Sequence, residues 1–363
     1  MTYLADLDTP VPVVEVSRLE ANIARMAARV GATAARQRPH IKTHKTAQVA
    51  GAQIRAGADG LTVAKLGEAE AFVDAGFEDL FIAYPLVGEA KLHRLAALMR
   101  RARVSSTVDS LEAARATSDV MVAAGLTADL VMEVEAGSGR TGVPVEDVPD
   151  LGDRIGELPG VRLMGVMAFA PGYVSGTDAQ REMGLREGAL AVGMASVLRT
   201  AGHPITFVSA GCTPTSPWAA QVPGVTNVRA GNYVFHDRKQ VAMGVATFDD
   251  CALTILATVV SRPAPRRYVL DAGIKTFAGE DYGWGTYGQL LDRPDVVVSW
   301  AAEEHGVIDL APEVADPGLR VGDRVRVVPN HACGVPNMHD QLVAVDGERV
   351  VDTWPVIARG RVR

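Results

Sequence analysis

From residue 38 to about residue 237 the chain alternates short apolar runs with stretches of helical period. The runs are Arg38–Lys42, Gly60–Ala64, Asp79–Tyr84, Val104–Val108, Asp129–Glu135, Val161–Phe169, Ile205–Ala210 and Asn227–Phe235. Between most of them apolar residues recur every three or four positions, as in Leu66–Ala75, Glu89–Arg100, Ser110–Ala124 and Asp178–Thr200. Strands that are apolar on both faces and joined by helices form a parallel sheet. Eight such units over roughly 200 residues predict an α/β fold, a closed (β/α)8 TIM-like barrel, in preference to an open doubly wound sheet. The seventh unit is the weakest, because its following helix, near Pro217–Gln221, is short. Ahead of the barrel, Val11–Val16 is a β-rich run, and Ser17 with Glu20 predicts a capping box opening a helix over Arg18–Val30.

The texture changes after Asp237. Strand-like runs (Ala252–Val260, Arg267–Leu270, Val296–Trp300, Arg324–Val328 and Gln341–Val345) are separated by Gly, Pro and Asp, with almost no helical period. This pattern predicts a C-terminal, mostly antiparallel β domain over residues 238–363 after a barrel over residues 17–237. Residues 1–16 are expected to pack with the β domain.

Composition narrows the partners. A net charge of -7 implies no basic face for nucleic acid. No run reaches the roughly 18 apolar residues of a membrane span, and the longest apolar helix, near Gly184–Leu198, is interrupted by Arg186 and Glu187. The N-terminus has neither a cationic nor an apolar leader segment. The three cysteines (Cys212, Cys251 and Cys333) form no disulfide framework, so the expected compartment is the cytoplasm.

Four polar clusters carry candidate chemistry. The first, Arg38–Thr46, puts Lys42 where the first barrel strand ends, at the rim on which barrel enzymes work. An amine that loses solvation there becomes a nucleophile able to form a Schiff base. Lys45, three residues on, reads as a solvated loop lysine. The second cluster pairs Ser209–Thr215 with Arg229–Tyr233 at the ends of strands seven and eight. Its glycines, N–H groups and hydroxyls suit a phosphate. The third, Glu133–Gly142, offers Arg140 as a permanent cation for a phenolate or carboxylate, against the plainer reading of a surface arginine. In the fourth, Pro329–Asn337, His331 and Cys333 share one face of an extended segment. Imidazole with thiolate favours zinc and leaves positions open for water and substrate. The competing reading there is a buried cysteine beside a capped histidine. His93 and His203 read as structural, and His236 and His339, each before an aspartate, as hydrogen-bonded turns.

Taken together, the chain resembles the D-serine dehydratase and D-threonine aldolase family, the metal-assisted branch of the alanine-racemase-like, fold-type III pyridoxal-phosphate enzymes. The resemblance runs nearly end to end, through RPHIKTHKT (38–46), TVAKLGEAE (62–70), GSGRTGV (137–143), VSAGCTPTS (208–216), RAGNYVFHD (229–237), DAGIK (271–275), EEHG (303–306) and PNHACGVPN (329–337). It implies pyridoxal 5'-phosphate held by Lys42 as a Schiff base, with Arg140 near the phenolic oxygen and Tyr173 in the pocket. Ser209, Gly211, Thr213, Gly231 and Asn232 would line the phosphate. It also implies a divalent metal on His331 and Cys333, zinc first, with manganese or magnesium as alternatives, and a homodimer. Dehydratase-like members carry His-x-Cys at the metal pair, and many aldolases carry His-x-Asp. The run Phe169–Tyr173 departs from the family, since many relatives place a histidine there.

The expected activity is dehydration and deamination of a D-configured β-hydroxy amino acid to a 2-oxo acid and ammonia. The alternative is retro-aldol cleavage to glycine and an aldehyde. Racemisation ranks third, since it leaves the metal pair without purpose. A non-catalytic cofactor carrier needs no second domain, so residues 240–363 argue against it.

Overall fold

A computed structural model of the chain describes residues 1–170 and 174–363. It divides into two compact units: Ala24–Lys42, Val49–Gly231 and Gly360–Arg363 form one, and Met1–Ile23, Thr43–Gln48 and Asn232–Arg359 the other.

The first unit is built on eight parallel strands: Arg36–Gln37, Leu61–Val63, Asp79–Pro85, Arg103–Val108, Ala128–Glu135, Val161–Phe169, Phe207–Ala210 and Asn227–Val228. Each pairs in parallel with its chain neighbour, except that the first strand pairs with the eighth. A bridge between His40 and Thr62 joins the first strand to the second and closes the ring. Phe81, Val131, Met167 and Phe207 meet in the interior, with the two phenylalanine rings edge-on at 5.2 Å. Layers of inward side chains of this kind fill such barrels.

The first and last strands are far shorter than the apolar runs suggest. Regular pairing stops at Gln37, although Arg38 and His40 still donate to the Val228 and Ala230 carbonyls, and Ile41–Thr43 forms a single 3-10 turn, so Lys42 sits on a turn and not on a strand end. The eighth strand likewise stops at Val228, and Asn232–Val234 is another 3-10 turn. The helices Leu66–Asp74, Glu89–Met99, Leu111–Ala124 and Thr177–Thr200 fall within a residue of their expected bounds. Ser110 caps the third, accepting from the Ala113 N–H. The capping box at Ser17 does not form. The first long helix spans Val16–Gly31, which places Ser17 inside it, where its hydroxyl donates to Glu15 at 3.3 Å.

The second unit contains a ten-stranded sheet. Val11–Glu15 lies within it, antiparallel to Leu253–Leu256 and parallel to Val343–Val345, the one parallel pairing in an otherwise antiparallel sheet. Leu4, Val13, Leu256, Val343 and Val345 cluster on one face. The strands Gly288–Leu290, Gly306–Asp309 and Arg349–Pro355 had no clear sequence signal. Among the described residues, no helix is long and apolar enough to cross a membrane.

Candidate active site

At the C-terminal rim of the barrel, polar groups are buried together. Arg229 follows the eighth strand, and its guanidinium donates to the Ser209 hydroxyl and, at 2.8 Å, to the Ala168 carbonyl. It thereby ties the ends of strands six, seven and eight. Burial lowers its pKa, with the charges of Glu187 and Glu133 acting the other way. Glu187, 1% exposed, accepts from the Gly211 N–H at 2.8 Å and the Thr215 hydroxyl at 3.1 Å. Burial pushes its carboxyl up to about 6. Glu133, at the end of the fifth strand, accepts from Thr141 at 2.8 Å and is also raised by burial.

The rim fits an anion. Gly211 has φ of 87°, and a Cβ there would lie 2.8 Å from the Cα of Ser216. Among the described residues the buried Ser216 hydroxyl beside it has no hydrogen-bond partner. A buried hydroxyl without a partner is costly and points to a ligand group that completes it. Ser209 and Thr213 are buried in the same segment. In the glycine-rich loop after strand five the N–H groups of Gly137, Ser138 and Gly139 point at Glu135, as that of Gly211 points at Glu187. Burial opposes the charge of Glu135, but those donors hold its carboxyl below the ordinary range.

Lys42 is exposed, its ammonium has no hydrogen bond or ion pair among the described residues, and its N–H meets His40 Nδ1 at 3.4 Å. A free amine on a turn suits covalent attachment of an aldehyde cofactor. Arg140 is also exposed, with its guanidinium 4.5 Å from the centre of the Phe169 ring. Tyr173 lies outside the described residues.

The other unit holds the second cluster. Asp237, fully buried, accepts at Oδ2 from Asn232 Nδ2 at 2.6 Å and the Ala332 N–H at 2.8 Å, and stands 2.8 Å from His331 Nδ1. Its Oδ1 accepts from the Gln240 N–H at 2.9 Å. Cys333 Sγ lies 3.1 Å from the Thr43 hydroxyl and 3.7 Å from Asn232 Nδ2. Burial disfavours a charged His331, but the Cys333 sulfur and Asp237 outweigh it and raise its pKa strongly. The Tyr282 ring meets His331 edge-on at 5.9 Å. Gly334 is required where it stands, since a Cβ would meet that of Ala278 at 2.5 Å and the Glu280 carboxyl at 3.2 Å.

This donor set fits a divalent metal. Imidazole and sulfur face one another, and the buried Asn232 Oδ1 beside them has no partner. Among the described residues no group of three His, Cys, Asp or Glu side chains could hold a metal ion, so His331 and Cys333 would supply two donors and leave the remaining positions open. The other cysteines are ill-suited to thiolate chemistry: burial pushes Cys212 up to about 11 and Cys251 further still.

Asn232, read from the sequence as a phosphate-lining residue, has its side chain on Asp237 and Cys333. Lys45 is not a solvated loop residue. It is buried at φ of 54°, and its ammonium donates to Asn337 Oδ1 at 2.8 Å. Four residues escaped a role in the sequence reading: Arg229, Glu187, Glu133 and Asp237. Glu187 had left a signal, as a charge interrupting the apolar face of a helix.

A closed parallel barrel with a buried polar C-terminal rim, followed by an antiparallel β unit, defines the alanine-racemase class of fold. Residues 14–239 match the family model of the alanine racemase N-terminal domain, and residues 252–345 that of the putative serine dehydratase domain. The chain is 36% identical over 371 residues to the D-threo-3-hydroxyaspartate dehydratase of Delftia sp. (strain HT23), covering 97% of each. It is 34% identical to a D-threonine aldolase of Arthrobacter sp over 98% of this chain and 94% of that one. The solved Delftia dehydratase superposes with a TM-score of 0.90, at 35% identity, over 98% of this chain and 99% of that one. A cysteine-to-alanine mutant of that dehydratase, solved in the metal-free form, gives 0.89 at 34% identity over the same shares. The chain belongs to the D-serine dehydratase and D-threonine aldolase family of alanine-racemase-like pyridoxal-phosphate enzymes.

Proposed function

We propose that this protein is a pyridoxal-phosphate- and metal-dependent lyase that dehydrates D-configured β-hydroxy amino acids to a 2-oxo acid and ammonia. The observation that carries the choice is the donor pair of His331 with the Cys333 sulfur, a softer set than imidazole with carboxylate. When bound, the cofactor supplies an electron sink at the α-carbon and the metal a Lewis acid for the hydroxyl.

The residues of this chain then have separate tasks. Lys42 would hold the cofactor and, once its amine is released, take the α-proton as general base. Arg140 and Tyr173 are assigned to the cofactor ring, and Ser209, Gly211, Thr213, Gly231 and Asn232 to its phosphate. Ser216, with its unpartnered buried hydroxyl, joins them. Arg229 would keep a positive charge beside these loops, where it faces the buried Glu187 and Glu133. His331 and Cys333 would hold the metal, zinc by the softness of the set. The family resemblance extends the proposal to a homodimer, which light scattering would test.

The deciding experiment incubates the purified yellow protein with zinc or manganese and a panel of D-serine, D-threonine and D-threo-3-hydroxyaspartate. Ammonia with a 2-oxo acid is the expected outcome. Glycine with an aldehyde would instead establish retro-aldol cleavage, a reading favoured by the likeness to the Arthrobacter aldolase. Lys42→Ala should abolish the cofactor absorbance, whereas Cys333→Ala should stop 2-oxo acid release and leave that absorbance intact.

A further inference from the structure

The carboxylate of Asp237 is heavily engaged. It is 0% exposed and faces four donors: the Asn232 amide, the His331 ring, and the N–H groups of Ala332 and Gln240. Burying a carboxylate costs several kcal/mol unless hydrogen bonds replace its water. A helix cap alone would not require this much. Asp237 does cap the short helix Arg238–Ala242, but that task uses only Oδ1. Oδ2 faces the His331 ring, the Ala332 N–H and the Asn232 amide.

We infer that Asp237 is a positioning residue for the metal centre, fixing His331 with its proton on Nδ1 and its Nε2 turned out as the donor. The inference rests on the metal reading above. A carboxylate accepts only, so the imidazole nitrogen 2.8 Å from Oδ2 must carry the hydrogen, and the lone pair is left on the opposite nitrogen. The same oxygen accepts from the Ala332 N–H, which pins the backbone between the two donors. Through the Asn232 amide it also reaches the second donor, since Nδ2 lies 2.6 Å from Asp237 and 3.7 Å from Cys333 Sγ. One buried oxygen thus sets the ring, the backbone and the sulfur of the His-x-Cys segment.

The test uses cobalt(II) as a visible probe on the pyridoxal-phosphate-loaded enzyme, with chelator competition to read affinity. Asp237→Asn should weaken cobalt binding by about 10- to 100-fold and alter the sulfur-to-cobalt charge-transfer band, while the cofactor absorbance stays. An amide donates as readily as it accepts, so it no longer dictates the tautomer. A variant with wild-type affinity and an unchanged band overturns the inference and leaves the metal reading standing. Wild-type protein that takes up no cobalt, or that binds as tightly after His331→Ala, overturns both. A second measurement needs no substitution at Asp237. In ¹⁵N-histidine-labelled wild-type protein, zinc should shift His331 Nε2 while Nδ1 keeps its proton, and metallation of Nδ1 would overturn the assignment.

Discussion

The two rims of the barrel are both charged, and they use their charges differently. At the N-terminal rim the first residues of the strands surround a pocket of about 470 Å³ lined by Arg36, Arg38, Asp59, Asp79, Arg103 and Asp129 among others. There each carboxylate has an arginine partner: Asp79 meets Arg38 at 2.6 Å and Arg103 at 3.4 Å, and Asp129 meets Arg162 at 2.6 Å. At the C-terminal rim Arg229, Glu133 and Glu187 are all buried, two acids against one base, with burial raising both carboxyls. Paired surface charges hold the strand ends together. Buried and imbalanced charges cost stability, so they mark the end where chemistry is placed.

The largest effect should follow from removing the central cation of the buried rim. Arg229→Met leaves Glu187 and Glu133 without compensation and releases the ties to Ser209 and Ala168. Breaking a buried ion set by deleting one member costs about 3–5 kcal/mol. Urea unfolding should show that loss, and the variant should no longer retain the yellow cofactor. If it is as stable and as yellow as the parent, the distinction between the rims fails.

Next comes a pH effect confined to Glu187. The folded protein keeps this proton up to about pH 6, against 4.5 for an ordinary exposed glutamate. The group therefore favours the folded state below pH 4.5, and the advantage is gone above pH 6. It amounts to about 2 kcal/mol by linkage. Relative to Glu187→Gln, whose amide does not titrate, the parent should lose that amount of unfolding free energy between pH 4.5 and pH 7. A parallel pH dependence in the two proteins would show that burial does not hold the proton.

Much of this was legible in the sequence, and particular residues show why the rest was not. The central strands and their helices announced themselves, because a run such as Val161–Phe169 is apolar on both faces and came out residue for residue. The first and eighth strands misled: within Arg38–Lys42 and Asn227–Phe235 the chain passes from the sheet into 3-10 turns at Ile41–Thr43 and Asn232–Val234. Local apolarity reports burial and not the point where a strand parts from its neighbours. His331 and Cys333 were singled out as one face of an extended segment, yet the strand ends at Pro329 and residues 332–334 turn into the helix Val335–Met338; Asp237 lies 94 positions from His331, and no periodicity encodes a contact of that range. Lys45 was misread for the same reason, since its partner Asn337 is 292 residues away.

The smallest effects sharpen the contrast from the other end. Asp79 accepts from Arg38 at 2.6 Å and from Arg103 at 3.4 Å, with its side chain 32% exposed. Asp79→Asn strands the mostly buried Arg38 guanidinium, which also donates to the Asp59 carbonyl, and should cost about 1–2 kcal/mol. Arg162→Ala breaks a pair in which the arginine is 60% exposed, and water and salt screen such pairs to about 0–1 kcal/mol. Both variants should keep the full cofactor absorbance, because neither touches the C-terminal rim. In added salt the cost of Arg162→Ala should vanish while that of Asp79→Asn persists, since screening reaches only the exposed member. Loss of cofactor in either variant would mean that the two ends of the barrel are coupled, and that pairing at one rim sustains the imbalance at the other.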